Sequence, residues 1–374
     1  MKVAMLTTVG DHCGIANYTR ELVAELSQLV ELSVEPIEPG KQEMAHYQAQ
    51  AERLNEADLI HIQHEHGFWG GIMPGSSAFW NMRYLLKKPV VITAHTTYSL
   101  AEMLRYKEEK RLIHKLVKWM LLKNVKYRDS VEIAPFVTGE CIVLTEAGRD
   151  ILVSRGAKPE DVHVIPAGVP HTFPAPTQGS VMRDRFHLED NRLITLFGFI
   201  NPSKGYELAL HALLDLPEEF TLVIAGGVRI PTEKMWEEDL VARIASLKLE
   251  KRVVITGFLS EEEIAEMMAA TEVVIIPQIQ ATGSYSVMMA IAYAKPIVAS
   301  DLACFKEIQR RHPCLRLFRA GDADHFTACL KGVLKNPIGQ KELIERTQEY
   351  AKTHQWRNAA LQTLEVYQKA LATG

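Results

Sequence analysis

Several things are scarce in these 374 residues, and each scarcity closes off a class of function. The five cysteines, Cys13, Cys141, Cys304, Cys314 and Cys329, are odd in number and scattered, with no CxxC pair. That pattern predicts reduced thiols, not a disulfide framework or a zinc site. No apolar run reaches the ~20 residues of a membrane span. Met1-Lys2 leads straight into a strand-like VAMLTTV, without a charged-then-apolar leader, which predicts a cytoplasmic protein. Neither charge sign dominates: 42 Lys and Arg against 46 Asp and Glu leave a net charge of -4. This argues against a general nucleic-acid binder. Finally, no carboxylate lies between Glu272 and Asp301, a gap that shapes the functional reading.

What is present is an ordinary globular composition, 47% hydrophobic and 24% charged. The chain is too long for one typical core, so two domains are expected. Short apolar runs alternate with amphipathic stretches, the signature of an α/β protein with parallel sheets. Strands are expected at 2–9, 59–63, 90–94, 141–144 and 162–165, with helices at 16–26, 47–55, 107–122 and 146–155. A Pro- and Gly-rich connection follows at 167–179. The pattern then restarts, with strands at 193–197, 221–225, 252–256, 273–276 and 296–299. Helices at 206–214, 237–247, 261–270 and 286–294 lie between or beside them. A last amphipathic helix covers the tail. The expected domains are 1–172 and 173–353, with the helix 354–374 returning toward the first.

Both halves open alike. One has a strand, Gly10-Asp11-His12-Cys13-Gly14, then a helix. The other has a strand, Gly198-Phe199-Ile200-Asn201-Pro202-Ser203-Lys204-Gly205, then a helix. Neither opening is a G-x-G-x-x-G or G-x-x-x-x-G-K-[ST] fingerprint, so a dinucleotide reading loses its main support. A second small-residue loop, Thr282-Gly283-Ser284-Tyr285-Ser286, opens a helix after the apolar run 273–276. Backbone N–H groups and the helix dipole make such a loop a seat for phosphate. The same residue types also make an ordinary helix N-cap.

The segments CGIANYTRELVAEL, ADLIHIQHEHGFWGG, VVITAHTTYSL, CIVLTEAGRDIL, HVIPAGVP, LFGFINPSKGYELALHAL, LVIAGG and VVITGFLSEEEIAEMM, in this order with the loop just described, resemble the retaining GT-B glycosyltransferases of family 4. The resemblance covers essentially the whole length. It implies two Rossmann-like, doubly wound parallel-sheet domains facing a cleft. It also implies transfer of a sugar from a UDP- or GDP-sugar donor to a hydroxyl with retained anomeric configuration, and no metal or other cofactor. The acceptor, a sugar, a small molecule or a lipid-linked glycan, would bind the first domain and the donor the second.

The resemblance assigns residues as well. Lys204 matches the phosphate lysine of the family's G-R-x-x-x-x-K-G pattern. The arginine of that pattern is replaced by Phe199, which leaves Asn201 as the nearby polar side chain. Gly14 and Gly198 would let backbone approach the donor. Thr282, Gly283, Ser284, Tyr285 and Ser286 form the second phosphate element. Gly14 can equally be a turn glycine, and Lys204 a solvated loop lysine. His95, after VVITA, would orient the sugar or the incoming hydroxyl, unless it merely caps a strand end. Most of the family carries E-x7-E, and the two positions here are Thr282 and Met289. Their loss predicts a weaker or different hold on the nucleotide, since a charge-assisted hydrogen bond is worth about 1.5–3 kcal/mol.

Other constellations are weaker. His61, Gln63, His64, Glu65 and His66 lack HExxH spacing, and alternate strand residues face opposite ways. An acceptor-side wall of His64, Glu65, Trp69 and Tyr98, or a local hydrogen-bond network, fits better than a metal. Asp322-Ala323-Asp324 mimics a DxD motif but stands at a helix start. The basic stretch 105–128 is either a solvated helix face or a peripheral membrane contact. A non-catalytic binding protein and a nucleotide-sugar epimerase remain the alternatives to a transferase.

Overall fold

The computed structural model describes the chain except residues 11–12, 39–42, 70–77, 98–119, 121–133, 138, 189–190, 230–232 and 374. It divides into two compact units, Met1–Ala167 with Trp356–Gly374, and Gly168–Gln355. The first boundary therefore falls earlier than 172, and the closing helix is counted with the first unit.

In the first unit, β1 (Lys2–Thr7), β2 (Glu31–Pro36), β3 (Leu59–His64), β4 (Val90–Ala94), β5 (Glu140–Val143) and β6 (Val162–Val164) form one sheet. The order is β2-β1-β3-β4-β5-β6, and every pairing is parallel. Helices α1 (Gly14–Leu26), α2 (Met44–Leu54), α3 (Phe79–Arg83) and α4 (Glu146–Ser154) accompany it. The strand period of two sorts side chains between the faces. Ala4, Leu6, Ile60, Ile62, Ile92 and Val143 join one core with residues of α2 and α3. Val3, Met5, Leu59, Val91 and Ile142 join another with Tyr18 and Leu22 of α1 and Trp356 and Tyr367 of the closing helix.

The second unit repeats the plan with β7 (Arg192–Phe197), β8 (Phe220–Ala225), β9 (Val253–Ile255), β10 (Thr271–Ile276), β11 (Ile297–Ser300) and β12 (Arg316–Phe318). The order is β12-β11-β10-β7-β8-β9, again parallel throughout. Its helices are α5 (Ser180–Arg185), α6 (Tyr206–Leu214), α7 (Lys234–Ser246), α8 (Glu261–Ala270), α9 (Tyr285–Ala292), α10 (Ala303–Arg311), α11 (Ala323–Leu334) and α12 (Pro337–Thr353); α13 (Trp356–Thr373) closes the chain in the first unit. The caps explain several starts. Ser260 and Glu263 form a reciprocal capping box at α8, and Asn336 with Pro337 opens α12.

Six elements are not expected from the sequence: β2, α3, α5, α10, β12 and α12. β2 is an edge strand whose residues are half-buried or exposed, so ELSVEP carries no apolar run. Apart from Met120, the expected helix at 107–122 lies outside the described residues.

Each sheet reverses its strand order at one place, between β1 and β3 in the first and between β7 and β10 in the second. In open α/β sheets, ligands bind beyond the carboxyl ends of the strands at such switch points.

Candidate active site

The second switch point is built by the loops after β7 and β10. β7 ends at Phe197, and the chain turns at Gly198 with φ +122°. A Cβ there would stand 2.6 Å from Lys204 Nζ and 2.9 Å from Ser286 Oγ, so only glycine leaves room for those two groups to meet. At Gly205, φ is +74°, and a Cβ would stand 1.9 Å from the Pro277 carbonyl oxygen. Ile279 N donates to Ser203 O at 2.9 Å. The two loops are thus knitted together directly beside Lys204.

Lys204 is 8% exposed. Its ammonium donates to Ser286 Oγ at 3.1 Å, and that hydroxyl donates to the Phe197 carbonyl at 2.7 Å. No carboxylate among the described residues pairs with Lys204. Burial lowers its pKa to about 8, because a desolvated ammonium without a counter-charge costs several kcal/mol. Ser286 lies in the first turn of α9, whose N-terminal end adds positive potential at the same place. Ser284 is the N-cap of α9, yet its side chain caps nothing. Its Oγ, Gln278 Oε1 and Gln280 Nε2 are buried without a hydrogen-bond partner. Buried polar atoms are nearly always paired. All three orphans lie on the stretch between β10 and α9, the stretch that Ile279 ties to the Lys204 loop, which makes it the candidate binding loop.

The remaining donor-side candidates divide. Asn201 closes its own turn: Oδ1 accepts from Ser203 N at 2.9 Å and from Ser203 Oγ at 2.5 Å. Phe199 packs edge-on against Phe258, ring centres 5.9 Å apart. Thr282 and Tyr285 are half-buried, Gly283 is exposed and Met289 is buried on α9. Asp322 is the N-cap of α11, accepting from His325 N at 2.9 Å. Among the described residues, no group of His, Cys, Asp and Glu is arranged to hold a metal ion.

In the first unit, Gly14 opens α1 directly after the extended Cys13. His95 follows β4. Its backbone N–H donates to His64 O at 3.1 Å, and its ring meets the edge of Tyr18 at 4.8 Å. His95 Nε2 lies 2.7 Å from Gln63 Oε1. Gln63 Nε2 is 3.3 Å from His61 Nε2, which also lies 2.7 Å from Thr93 Oγ1. His61 Nδ1 meets Tyr367 Oη of α13 at 2.6 Å. Burial lowers both His61 and His95 to about 3, so both rings are neutral at physiological pH. Gln63, His61 and His95 thus form a local hydrogen-bond network, one of the two readings the sequence favoured over a metal for this cluster, extended here to Thr93 and Tyr367.

His64 points to the opposite face, as the strand period requires. It packs among His66, Trp69, Phe79 and Phe136. Its Nδ1 and Trp69 Nε1 are buried without partners. Glu65 accepts a short hydrogen bond from Thr96 Oγ1. Tyr98 and the stretch 105–128 lie outside the described residues. No helix among the described residues is long and apolar enough to cross a membrane.

Comparison with known proteins agrees with this architecture. The family model for glycosyl transferases group 1 matches residues 181–354, and that for glycosyltransferase family 4 matches residues 38–173. The chain is 30% identical over 261 residues to an MMP alpha-(1->4)-mannosyltransferase of Mycolicibacterium hassiacum, a match covering 68% of this chain and 59% of that protein. It spans less than two thirds of the length of that and two further curated relatives. In structure it resembles sucrose-phosphate synthase from Thermosynechococcus elongatus, with a TM-score of 0.77 at 16% identity over the whole of both chains. It also resembles Anabaena HepE in complex with UDP and glucose, with a TM-score of 0.74 at 17% identity over 99% of this chain and 100% of that one. With one family model on each sheet unit and the GT-B fold across both, this chain belongs to the group 1, family 4 glycosyltransferases.

Proposed function

We propose that this protein transfers a hexosyl unit from a UDP-sugar to a hydroxyl acceptor with retention of anomeric configuration. The observation that carries the reading is the buried ammonium of Lys204, which meets Ser286 but no carboxylate among the described residues, at the β7/β10 switch point. Glycosyl transfer from a nucleotide sugar breaks the bond between the anomeric carbon and the diphosphate, so negative charge grows on the leaving phosphate. A fixed cation in a dry site stabilises that charge more than water does, and without reorganisation. Ser286 Oγ and the first turn of α9 supply further hydrogen bonds. UDP in the HepE complex favours uridine over guanosine as the donor base. The second unit is the donor side and the first the acceptor side. There, neutral His95 orients the sugar or the incoming hydroxyl, and the donor phosphate takes the acceptor proton. The protein is read as cytoplasmic, with peripheral membrane contact through 105–128 where the acceptor is lipid-linked.

Thr282 and Met289, in place of the family's two glutamates, favour a second reading, a nucleotide- or sugar-binding protein without turnover. In the transferase reading, backbone groups, hydroxyls and the carboxamides of Gln278 and Gln280 take over contacts that the glutamates would make. A thermal-shift series with UDP, GDP, ADP and their sugars tests the donor. UDP at a hundredfold excess over its Kd stabilises by about 2.7 kcal/mol, and the shift is expected with UDP and absent in Lys204→Ala. A shift with GDP alone would overturn the uridine assignment. No shift with any nucleotide would overturn the donor site itself.

A further inference from the structure

We infer, on the reading of the β7/β10 switch point as a donor site, that Gln278 and Gln280 hydrogen-bond the hydroxyls of the transferred sugar and so determine which sugar the donor carries.

Gln278 follows β10 and is 6% exposed, yet its Oε1 is buried without a hydrogen-bond partner. Gln280 is half-buried and leaves its Nε2 in the same condition. A buried amide atom left unpaired costs about 1–3 kcal/mol, and a methionine would fill a similar volume without that cost. The backbone is tied on both sides of the two glutamines. Pro277 O is pressed against Gly205, Ile279 N donates to Ser203 O at 2.9 Å, and Cys304 Sγ donates to Ala281 O at 3.6 Å. Moving the loop to bring the carboxamides to water would break those ties. Between the glutamines, Ile279 is 53% exposed. Burying carboxamides while an isoleucine faces water inverts the usual order of burial. That inversion suits a loop that meets a polar ligand better than one that packs.

Chemistry separates the parts of a nucleotide sugar. The diphosphate only accepts hydrogen bonds at neutral pH, so it cannot satisfy Gln278 Oε1, itself an acceptor. Lys204, Ser286 and the first turn of α9 already offer the diphosphate a cation and donors. In the strand order β10-β7-β8-β9, the stretch with the two carboxamides stands on one flank of the Lys204 loop, which follows β7. Phe258 follows β9 on the other flank, and Phe199 packs edge-on against it. A flat base suits aromatic side chains. A diphosphate at Lys204 would then send its nucleoside toward β8 and β9 and its hexose toward the stretch after β10. Each hexose hydroxyl both donates and accepts, so neighbouring hydroxyls satisfy Gln278 Oε1 and Gln280 Nε2 together.

The test is equilibrium binding of UDP, UDP-glucose, UDP-galactose and UDP-N-acetylglucosamine to the full chain, wild type against Gln278→Met and Gln280→Met. The wild type is expected to prefer one of the three UDP-sugars. Each variant is expected to bind that UDP-sugar about tenfold more weakly, as for one lost hydrogen bond, while its Kd for UDP stays within about twofold of the wild type. The preference among the three sugars should narrow by the same factor. A wild type that binds all three UDP-sugars alike would overturn the assignment. Variants that bind every ligand as the wild type does would overturn it too. A loss for UDP equal to the loss for the UDP-sugar would place the glutamines on the nucleotide instead and would overturn it as well. If the wild type binds no UDP at all, the donor site fails, and the assignment with it. Should Gln278→Met not fold, Gln280→Met, at a half-buried position, decides by the same comparison.

Discussion

At the residue scale, Lys204 sets function against stability. Its pKa of about 8 in place of 10.5 means that folding at neutral pH buries a charge that the unfolded chain keeps hydrated. The cost is about 3 kcal/mol at pH 7. It is present in full below pH 8, where Lys204 is charged in both states. It fades as pH rises from 8 toward 10.5, where the folded protein has shed the proton and the unfolded chain has not. Lys204→Met should therefore raise the melting temperature of the ligand-free second unit at pH 7. The gain should shrink above pH 8, and the variant should lose the stabilisation by UDP. Calorimetry from pH 6 to 10 checks this. An unchanged or lowered melting temperature at pH 7 would show that the ammonium is already compensated.

The sequence made Lys204 legible through its loop between a strand and a helix. Its contact with Ser286 was not legible, because 82 residues separate them and no local pattern reports a non-local hydrogen bond. Gln63 was hidden for a related reason. Strand alternation separated His61 and Gln63 from His64, but it could not say that Tyr367 would be the partner from far down the chain.

At the scale of elements, the strand-end glycines hold the site. Gly205 has a left-handed backbone and faces the Pro277 carbonyl with no room for a Cβ. Gly205→Ala must strain that φ and push apart the loops that Ser203 and Ile279 join. We expect a loss of about 2–4 kcal/mol in stability. A weaker hold on UDP in whatever remains folded is also expected, read by denaturant unfolding and nucleotide titration. Wild-type stability in this variant would mean that the loops relax freely. Strands and helices with long apolar runs, such as β4, α6 and α8, were readable from the sequence because each buries a periodic face. β2 was not, because ELSVEP is an edge strand whose residues are half-buried or exposed, with no fully buried face. α12 carried a readable start, Asn336-Pro337, but its partners lie in other segments.

At the scale of the whole molecule, two copies of a parallel sheet each present one switch point. The chemistry that sets this chain apart is concentrated in the second. Between Glu272 and Asp301 that unit has no carboxylate, and the proposed donor diphosphate would be the counter-charge of Lys204. The most direct measurement is transfer of hexose from UDP-hexose to a hydroxyl acceptor under single-turnover conditions, wild type against Lys204→Ala. Loss of a preorganised charge-stabilising group costs about 10²–10³-fold in rate. A loss of that size, with the wild type forming a product that retains the donor's anomeric configuration, is the predicted result. Equal rates in the two proteins, or an inverted product, would contradict it.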